Sequence, residues 1–338
     1  MRVFIIAKSK RHTRIYYYFK KAFERQGHQT RWIKYRKLKS YLGERAATAL
    51  VDKLMLIFKP NLLFFHGRDI SLELLLKAKR RMPAVMYYDD CIKASKRSFE
   101  EVIKQGRQAD IMYLTNRGEI PQYREQGVNV RFITGGCDPT AHRMVAGTDK
   151  AYRSEVAFIG RPNTPERVQC MQVLAKRFDL KLWGSGWQEY GLSAAATDVY
   201  ASEYRKICAG AKILLGWNID PTVELYFSNR TWYTLGCGGF LLTAYSPCLE
   251  ELFGRGKELD WFESLEQCCD KIEYYLGHDA ERRQIAAAGY RLAHSEYSYD
   301  KLVERIVADV NDRIKDKGER RKEKGERLKD KGRRWRAG

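Results

Sequence analysis

Short apolar runs alternate with amphipathic segments through the first 133 residues, and that rhythm leaves few architectures open. Residues 3–7 (VFIIA), 61–65 (NLLFF), 84–88 (AVMYY) and 111–115 (IMYLT) are near-continuous apolar stretches. Runs without polar alternation read as strands covered on both faces. Strands expected at 30–35 and 130–133 continue the series. Between them Ile15, Phe19, Ala22 and Phe23 share a helical face that stops at Gly27, a second helix ends near Lys59-Pro60, and others occupy 71–81 and the region up to Gly106. About six βα units in succession predict an α/β fold, a parallel sheet with helices on both sides.

Ligands of such sheets lie beyond the carboxyl ends of the strands. Those ends carry His66-Gly67, Asp89-Asp90 and Thr115-Asn116. His66 carries an imidazole, the side chain suited to acid–base work at neutral pH, and is a candidate base or sugar-hydroxyl contact, the alternative being a structural hydrogen bond. Asp90 is a candidate base or acceptor-orienting carboxylate, the alternative being a solvated turn. The basic loop Lys8-Ser9-Lys10-Arg11-His12 lacks the GxGxxG of a dinucleotide site, so NAD is not expected there.

Periodicity lapses at 134–153, where Gly, Pro and polar residues gather, and a second βα series opens with a strand at 155–159. Gly160 and Arg161 end that strand, Thr164 and Pro165 make a helix start, and Arg167 falls on the first turn. Cations at that position would meet a phosphate alongside the helix N–H groups, while the plain alternative is a capped helix with a solvated arginine. After the strand at 180–183, Gly184 and Trp187 could wall a base or sugar pocket, or be a turn packed by its indole. The stretch 229–243 (NRTWYTLGCGGFLLT) reads helix, tight turn, buried strand, with Asn229, Arg230 and Tyr233 on the helix and Gly236, Gly238 and Gly239 at its end. Those glycines let backbone approach either a ligand or a neighbouring element. Ser264 with Gln267 forms a capping box, Asp279 reads as another N-cap, and Leu302, Ile306 and Val310 share the face of a last helix.

The 338 residues suffice for two domains, with 44% hydrophobic residues. Domain boundaries are expected at 1–135, a linker at 136–153, a second domain at 154–298, a helix at 299–314 and a tail at 315–338. That tail holds 12 Lys/Arg against five Asp/Glu, so of the net charge of +20 it contributes +7 and leaves +13 on the body. A basic body suits phosphate-bearing partners in general. The tail repeats KDKGERR-KEKGERL-KDKGRRW with glycine at the recurrent position and reads as unstructured, able to lie against an anionic membrane or simply to solubilise. Eight cysteines show neither CxxC pairs nor metal-ligand spacing with the histidines. With no apolar run of the roughly 20 residues a span needs, the expected location is cytoplasmic, with the tail available to the inner membrane face.

In its second half the chain resembles the nucleotide-sugar-binding domain of GT-B glycosyltransferases, most closely the CgeB-like group. The resemblance rests on Asn229-Arg230, on residues 235–243 (LGCGGFLLT), on Leu249-Glu250-Glu251-Leu252-Phe253 with Gly256, on Ile272-Glu273-Tyr274-Tyr275-Leu276, on Arg282, Ile285-Ala286 and Gly289, and on the run from His294 to Tyr299. The first half matches loosely, at 110–115 and 135–139. What this resemblance implies is two Rossmann-like domains facing a cleft, the donor on the C-terminal domain and the acceptor mainly on the N-terminal one. The implied activity moves a sugar from a nucleotide diphosphate-sugar to a hydroxyl of a glycan or lipid-linked acceptor, without cofactor or metal; no Asp-x-Asp occurs. Nucleic acid is not an expected partner. By this analogy Gly160, Arg161 and Arg167 meet the diphosphate, and Gly184, Trp187, Asn229, Arg230, Tyr233, Gly236, Gly238 and Gly239 line nucleoside and sugar.

One departure stands out. Many retaining relatives carry a Glu, a seven-residue spacer and a second Glu before the glycine turn. Here the second position is Tyr233 and the first is Leu225, with Glu224 adjacent as a candidate catalytic carboxylate. A phenol stays neutral at pH 7 and can hydrogen-bond a hydroxyl but not act as an ionised acceptor. The stereochemical course is therefore left open, and a second reading is a catalytically impaired nucleotide-binding protein whose tail engages membrane or nucleic acid.

Overall fold

A computed structural model describes residues 1–8, 15–92 and 99–315. The basic tail beyond Lys315 and most of the loop after Lys8 lie outside the described residues.

Two sheets of six strands account for the apolar runs, and every strand pair in both is parallel. The first contains β1 (Arg2–Ile6), β2 (Gln29–Ile33), β3 (Leu62–His66), β4 (Ala84–Tyr88), β5 (Ile111–Leu114) and β6 (Val130–Phe132), in the order β2-β1-β3-β4-β5-β6. Its strands are apolar throughout because both faces are covered. Phe4 and Ile6 of β1 face a core shared with α2 (Tyr35–Phe58) and α3 (Leu72–Lys79). Val3 and Ile5 face the other, under α1 (Ile15–Arg25).

In the second sheet stand β7 (Ser154–Ile159), β8 (Leu180–Trp183), β9 (Ala194–Ala196), β10 (Ala211–Gly216), β11 (Leu241–Ala244) and β12 (Asp260–Phe262), in the order β12-β11-β10-β7-β8-β9. β9 and β12 were not anticipated; each has three residues, too few to show a period. Around this sheet lie α6 (Pro165–Arg177), α7 (Ala201–Gly210), α8 (Arg230–Gly236), α9 (Leu265–Gly277) and α10 (Asp279–Ser295); α4 (Phe99–Gly106) and α5 (Ile120–Glu125) belong to the first. Thr164 caps α6 as expected, its Oγ1 accepting the Arg167 N–H at 3.3 Å, and Ser264 caps α9 through the Gln267 N–H at 3.1 Å. Asp279 lies inside α10 rather than capping it; its carboxylate pairs with Arg282 and with Arg283.

The last helix, residues 299–315, crosses back to the first sheet. Tyr299, Leu302, Val303, Ile306 and Val310 are buried with Val3, Phe19 and Phe64. Its one apolar face was legible; its destination was not. No helix among the described residues is long and apolar enough to cross a membrane.

Each sheet has a point where the strand order reverses. In the first, the chain leaves β1 toward β2 on one side and resumes at β3 on the other; in the second, β7 and β10 are the adjacent pair. The carboxyl ends of these four strands carry Lys8, His66, Arg161 and Trp217 at or just beyond the last residue. Reversal points of this kind open crevices between the helices on either side.

Candidate active site

A cleft of about 590 Å³ lies between the two reversal points and takes residues from both halves of the chain. On the wall of the second sheet stand Arg167, Trp217, Asn218, Asn229, Arg230 and Tyr233. Arg167 is 1% exposed. Its Nη1 donates to the Arg161 carbonyl at 2.7 Å and its Nη2 to the Trp217 carbonyl at 2.9 Å, so the guanidinium bridges the ends of β7 and β10. Nε has no acceptor on the protein, and the group lies 5.5 Å from the Phe158 ring centroid. Burial, then the charge of Arg230, lower its pKa to about 10. Neither Arg167 nor Arg230 has a carboxylate partner among the described residues. The Nδ2 of Asn218, a residue 6% exposed, likewise lacks an acceptor on the protein, while its Oδ1 accepts the Ser228 N–H at 3.3 Å. Buried donors without acceptors are costly, roughly 1–3 kcal/mol each, and here they converge on one crevice.

On the facing wall the turn after β3 brings His66 and Asp69 together. Asp69 accepts the Lys8 N–H and faces His66 Nδ1 at 3.4 Å and Arg36 Nη1 at 3.5 Å. Burial pushes the Asp69 pKa up, but the His66, Lys8 and Arg36 interactions outweigh it and hold the carboxyl below its usual range. His66 Nε2 lies 3.7 Å from Asp89 Oδ1, and the ring meets Tyr16 edge-on at 5.6 Å between centroids. His66, Asp89 and Asp90 each bring one oxygen or nitrogen within 4.8 Å of the others, a set able to hold a cation as well as to move a proton.

Of the residues singled out in the sequence, His66, Asp90, Arg167, Asn229, Arg230 and Tyr233 share this cleft. The others are placed elsewhere. Trp187 is fully buried in the second domain's core and donates its indole N–H to the Gly160 carbonyl at 2.9 Å, so it is no pocket wall. Gly160 lies against the Phe158 ring. Gly184, at φ +132°, permits a close crossing: a Cβ there would sit 2.2 Å from the Gly160 oxygen. Arg161 is exposed and contributes its carbonyl to Arg167.

The glycine turn is displaced in the same sense. α8 presents its first residues to the cleft, and seven residues later its far end meets the linker. Gly236 packs against Cys137 and Gly239 against Thr234, while Gly238, at φ +73°, lies where a Cβ would be 2.5 Å from Met144 Cγ. Gly236 and Gly238 thus make room for the linker and Gly239 for Thr234, Leu214 and Cys208. Glu224 also lies outside the cleft: Arg117 Nε reaches it at 3.1 Å, and the Arg117 Nη atoms reach Glu251 at 2.5 and 2.8 Å. It belongs to an ion-pair cluster joining the two halves, just before Leu225 at φ +50°.

Among the cleft residues not singled out were Arg36, Arg68, Asp69 and Asn218. Arg68, Asp69 and Asn218 follow strand ends, a signal already in the sequence. Arg36 is in the first turn of α2, and only the packing of that helix brings it round.

Tyr233 stacks on His142 at 4.1 Å between centroids and places its hydroxyl 3.3 Å from that of Tyr299. Burial, opposed by the Tyr299 hydrogen bond, raises its pKa, so the phenol is neutral across the physiological range.

Residues 166–308 match the family model described as glycosyl transferase-like. Over 223 residues, covering 59% of this chain and 68% of the relative, the sequence is 24% identical to spore protein CgeB of Bacillus subtilis. Among solved structures, sucrose-phosphate synthase from Thermosynechococcus elongatus superposes with a TM-score of 0.66 at 12% identity, covering 93% of this chain and 98% of that one. Anabaena HepE in complex with UDP and glucose gives 0.64 at 11% identity, with 91% and 100% covered. A glycosyltransferase from Rickettsia africae gives 0.66 at 10% identity, with 93% and 98% covered. Residues 166–308 thus match a glycosyl transferase-like domain and are similar in sequence to spore protein CgeB, and the chain as a whole has the GT-B fold.

Proposed function

We propose that this protein is a glycosyltransferase that moves a sugar from a nucleoside diphosphate-sugar to a hydroxyl-bearing acceptor. The observation that carries this reading is the pair Arg167 and Arg230, two guanidiniums without carboxylate partners sharing one cleft at the reversal point of the second sheet. In the reaction, the acceptor oxygen bonds to the anomeric carbon as the bond from that carbon to the β-phosphate oxygen breaks. Charge then builds on the departing diphosphate. Arg167 Nε, Arg230 and the Asn218 amide are fixed donors for that charge in a partly dry site, where such donors act most strongly. The acceptor proton passes to the His66, Asp89, Asp90 group on the facing wall, with Asp90 or His66 as base. UDP is the first nucleotide to try, given the UDP complexes of HepE.

Thermal denaturation with millimolar UDP, GDP, ADP and TDP tests the reading. At least one should raise the melting temperature, by mass action on the folded state. Absence of any shift with all four would count heavily against it.

A further inference from the structure

The wall facing Arg167 carries a second, separate set of unpaired cations. β3 ends at His66, the chain turns through Gly67, and the Asp69 N–H closes the turn on the His66 carbonyl at 2.9 Å. This turn sets Arg68 into the cleft. Its Nε is buried without an acceptor on the protein, and it has no carboxylate partner among the described residues. Lys8 lines the same cleft, and its ammonium has no carboxylate partner among the described residues.

The nearby carboxylates are turned elsewhere. Asp69 faces His66 at 3.4 Å and Arg36 at 3.5 Å, and Asp89 faces His66 at 3.7 Å. The wall therefore carries both signs, acids near the imidazole and the Arg68 and Lys8 side chains without a carboxylate partner among the described residues. A ligand that suits both has an oxyanion and, in the same molecule, a hydroxyl able to lose a proton. Guanidinium supplies the planar fork that phosphate and carboxylate oxygens accept in pairs, and a buried N–H of this kind is completed by such an oxygen.

We infer that the acceptor carries a phosphate or carboxylate group, and that Arg68, assisted by Lys8, holds this group so that a hydroxyl of the same molecule lies against His66 and Asp90. This rests on the donor lying along the opposite wall, as proposed above.

The test measures thermal stabilisation of the full chain, with and without saturating UDP, by glycerol 3-phosphate, by glucuronate and by glycerol as the uncharged control. One of the two anions should stabilise the UDP-loaded protein where glycerol does not, and the arm that responds distinguishes phosphate from carboxylate. Arg68→Gln should raise the midpoint of that titration roughly tenfold or more, and Lys8→Gln by less, with the UDP midpoint unchanged within about twofold. A response to neither anion, in either form of the protein, overturns the inference. So does an anion midpoint that Arg68→Gln leaves unmoved. Equal weakening of UDP and anion by Arg68→Gln would assign Arg68 to the donor and overturn it as well. Loss of the UDP response with an intact, Arg68-dependent anion response would sink the donor reading while leaving the anion site at Arg68 standing.

Discussion

The imidazole of His142 lies flat against the phenol of Tyr233, with ring centroids 4.1 Å apart and planes 9° from parallel. Tyr18 of α1 meets both edge-on, at 5.0 Å from His142 and 6.1 Å from Tyr233. The three rings come from the linker, from α8 and from the first domain, so one aromatic cluster underlies the cleft from both sides. His142 is 1% exposed, and its Nδ1 accepts the Asp138 N–H at 2.8 Å.

Burial drives the His142 pKa down to about 3, opposed by Asp138. The folded protein therefore keeps this ring neutral where the unfolded chain, with a pKa near 6.5, takes up a proton. Stability attributable to His142 is complete above pH 6.5 and is lost as pH falls toward 3, with a slope approaching about 1.4 kcal/mol per pH unit. Denaturant unfolding between pH 7 and 4.5 should show this decline. His142→Asn, which retains an acceptor for the Asp138 N–H, should be less stable at pH 8 yet have a shallower slope. His28, whose pKa burial and the N-terminal amine also lower, leaves a residual slope in the same direction.

Arg167 and Arg230 should separate by what else each holds. Arg230→Gln removes a cation from the cleft and is expected to weaken UDP binding about 10- to 100-fold, the worth of a charge-assisted hydrogen bond, with little change in melting temperature. Arg167→Gln should lose a similar amount of affinity and also stability, since its Nη atoms bridge two backbone carbonyls at 2.7 and 2.9 Å. Calorimetric UDP titrations together with unfolding curves check both halves; unchanged affinity in the two variants would remove the diphosphate from this wall.

Gly238→Ala tests where the glycine turn acts. A β-carbon at φ +73° and 2.5 Å from Met144 should cost about 1–3 kcal/mol of stability. UDP affinity of the folded variant should stay within about twofold of the parent. Lost affinity with stability retained would instead return the turn to the donor pocket.

Proton transfer is expected to depend on Asp90 and His66 and not on Glu224. Asp90→Asn or His66→Gln should lower the turnover number about 10²- to 10⁴-fold for whichever is the base. Glu224→Gln should leave turnover within about threefold, because that carboxylate serves Arg117 at the junction of the two halves. Nucleotide release from the donor, with and without an acceptor extract, is the assay. The same assay run in EDTA should be unaffected; loss of turnover restored by manganese would show that His66, Asp89 and Asp90 hold an ion.

Much of the scaffold was legible because its signals are local. Runs such as VFIIA and AVMYY became β1 and β4 within one residue of the expected limits, and Thr164 with Pro165 opened α6 where a capping residue and a first-turn proline should. The site was legible only in part. His66 and Asp90 could be placed at the cleft because strand ends in a parallel sheet face a crevice whatever their neighbours, and Arg230 because the resemblance pointed to it. Trp187 and Gly184 carry the same local signature of a strand followed by a glycine turn. Yet one is core and the other a backbone crossing, because Gly160 of the adjacent strand occupies the space a ligand would need.

By itself, then, the sequence determined the α/β class, the positions of the longer strands and the capped helices, which follow from periodicity and short-range hydrogen bonding, and it carries the motifs on which the resemblance to GT-B glycosyltransferases rests. Only the tertiary structure decided the strand order, the return of the last helix to the first sheet and the facing of Arg167 and Arg230 toward His66 and Asp90. It also decided that Gly236 and Gly238 pack the linker and that Glu224 pairs with Arg117. The physical reason is that direction and partner depend on contacts between residues far apart in the chain. Glu224 and Arg117 are 107 positions apart, and no propensity or spacing records where such a pair will meet.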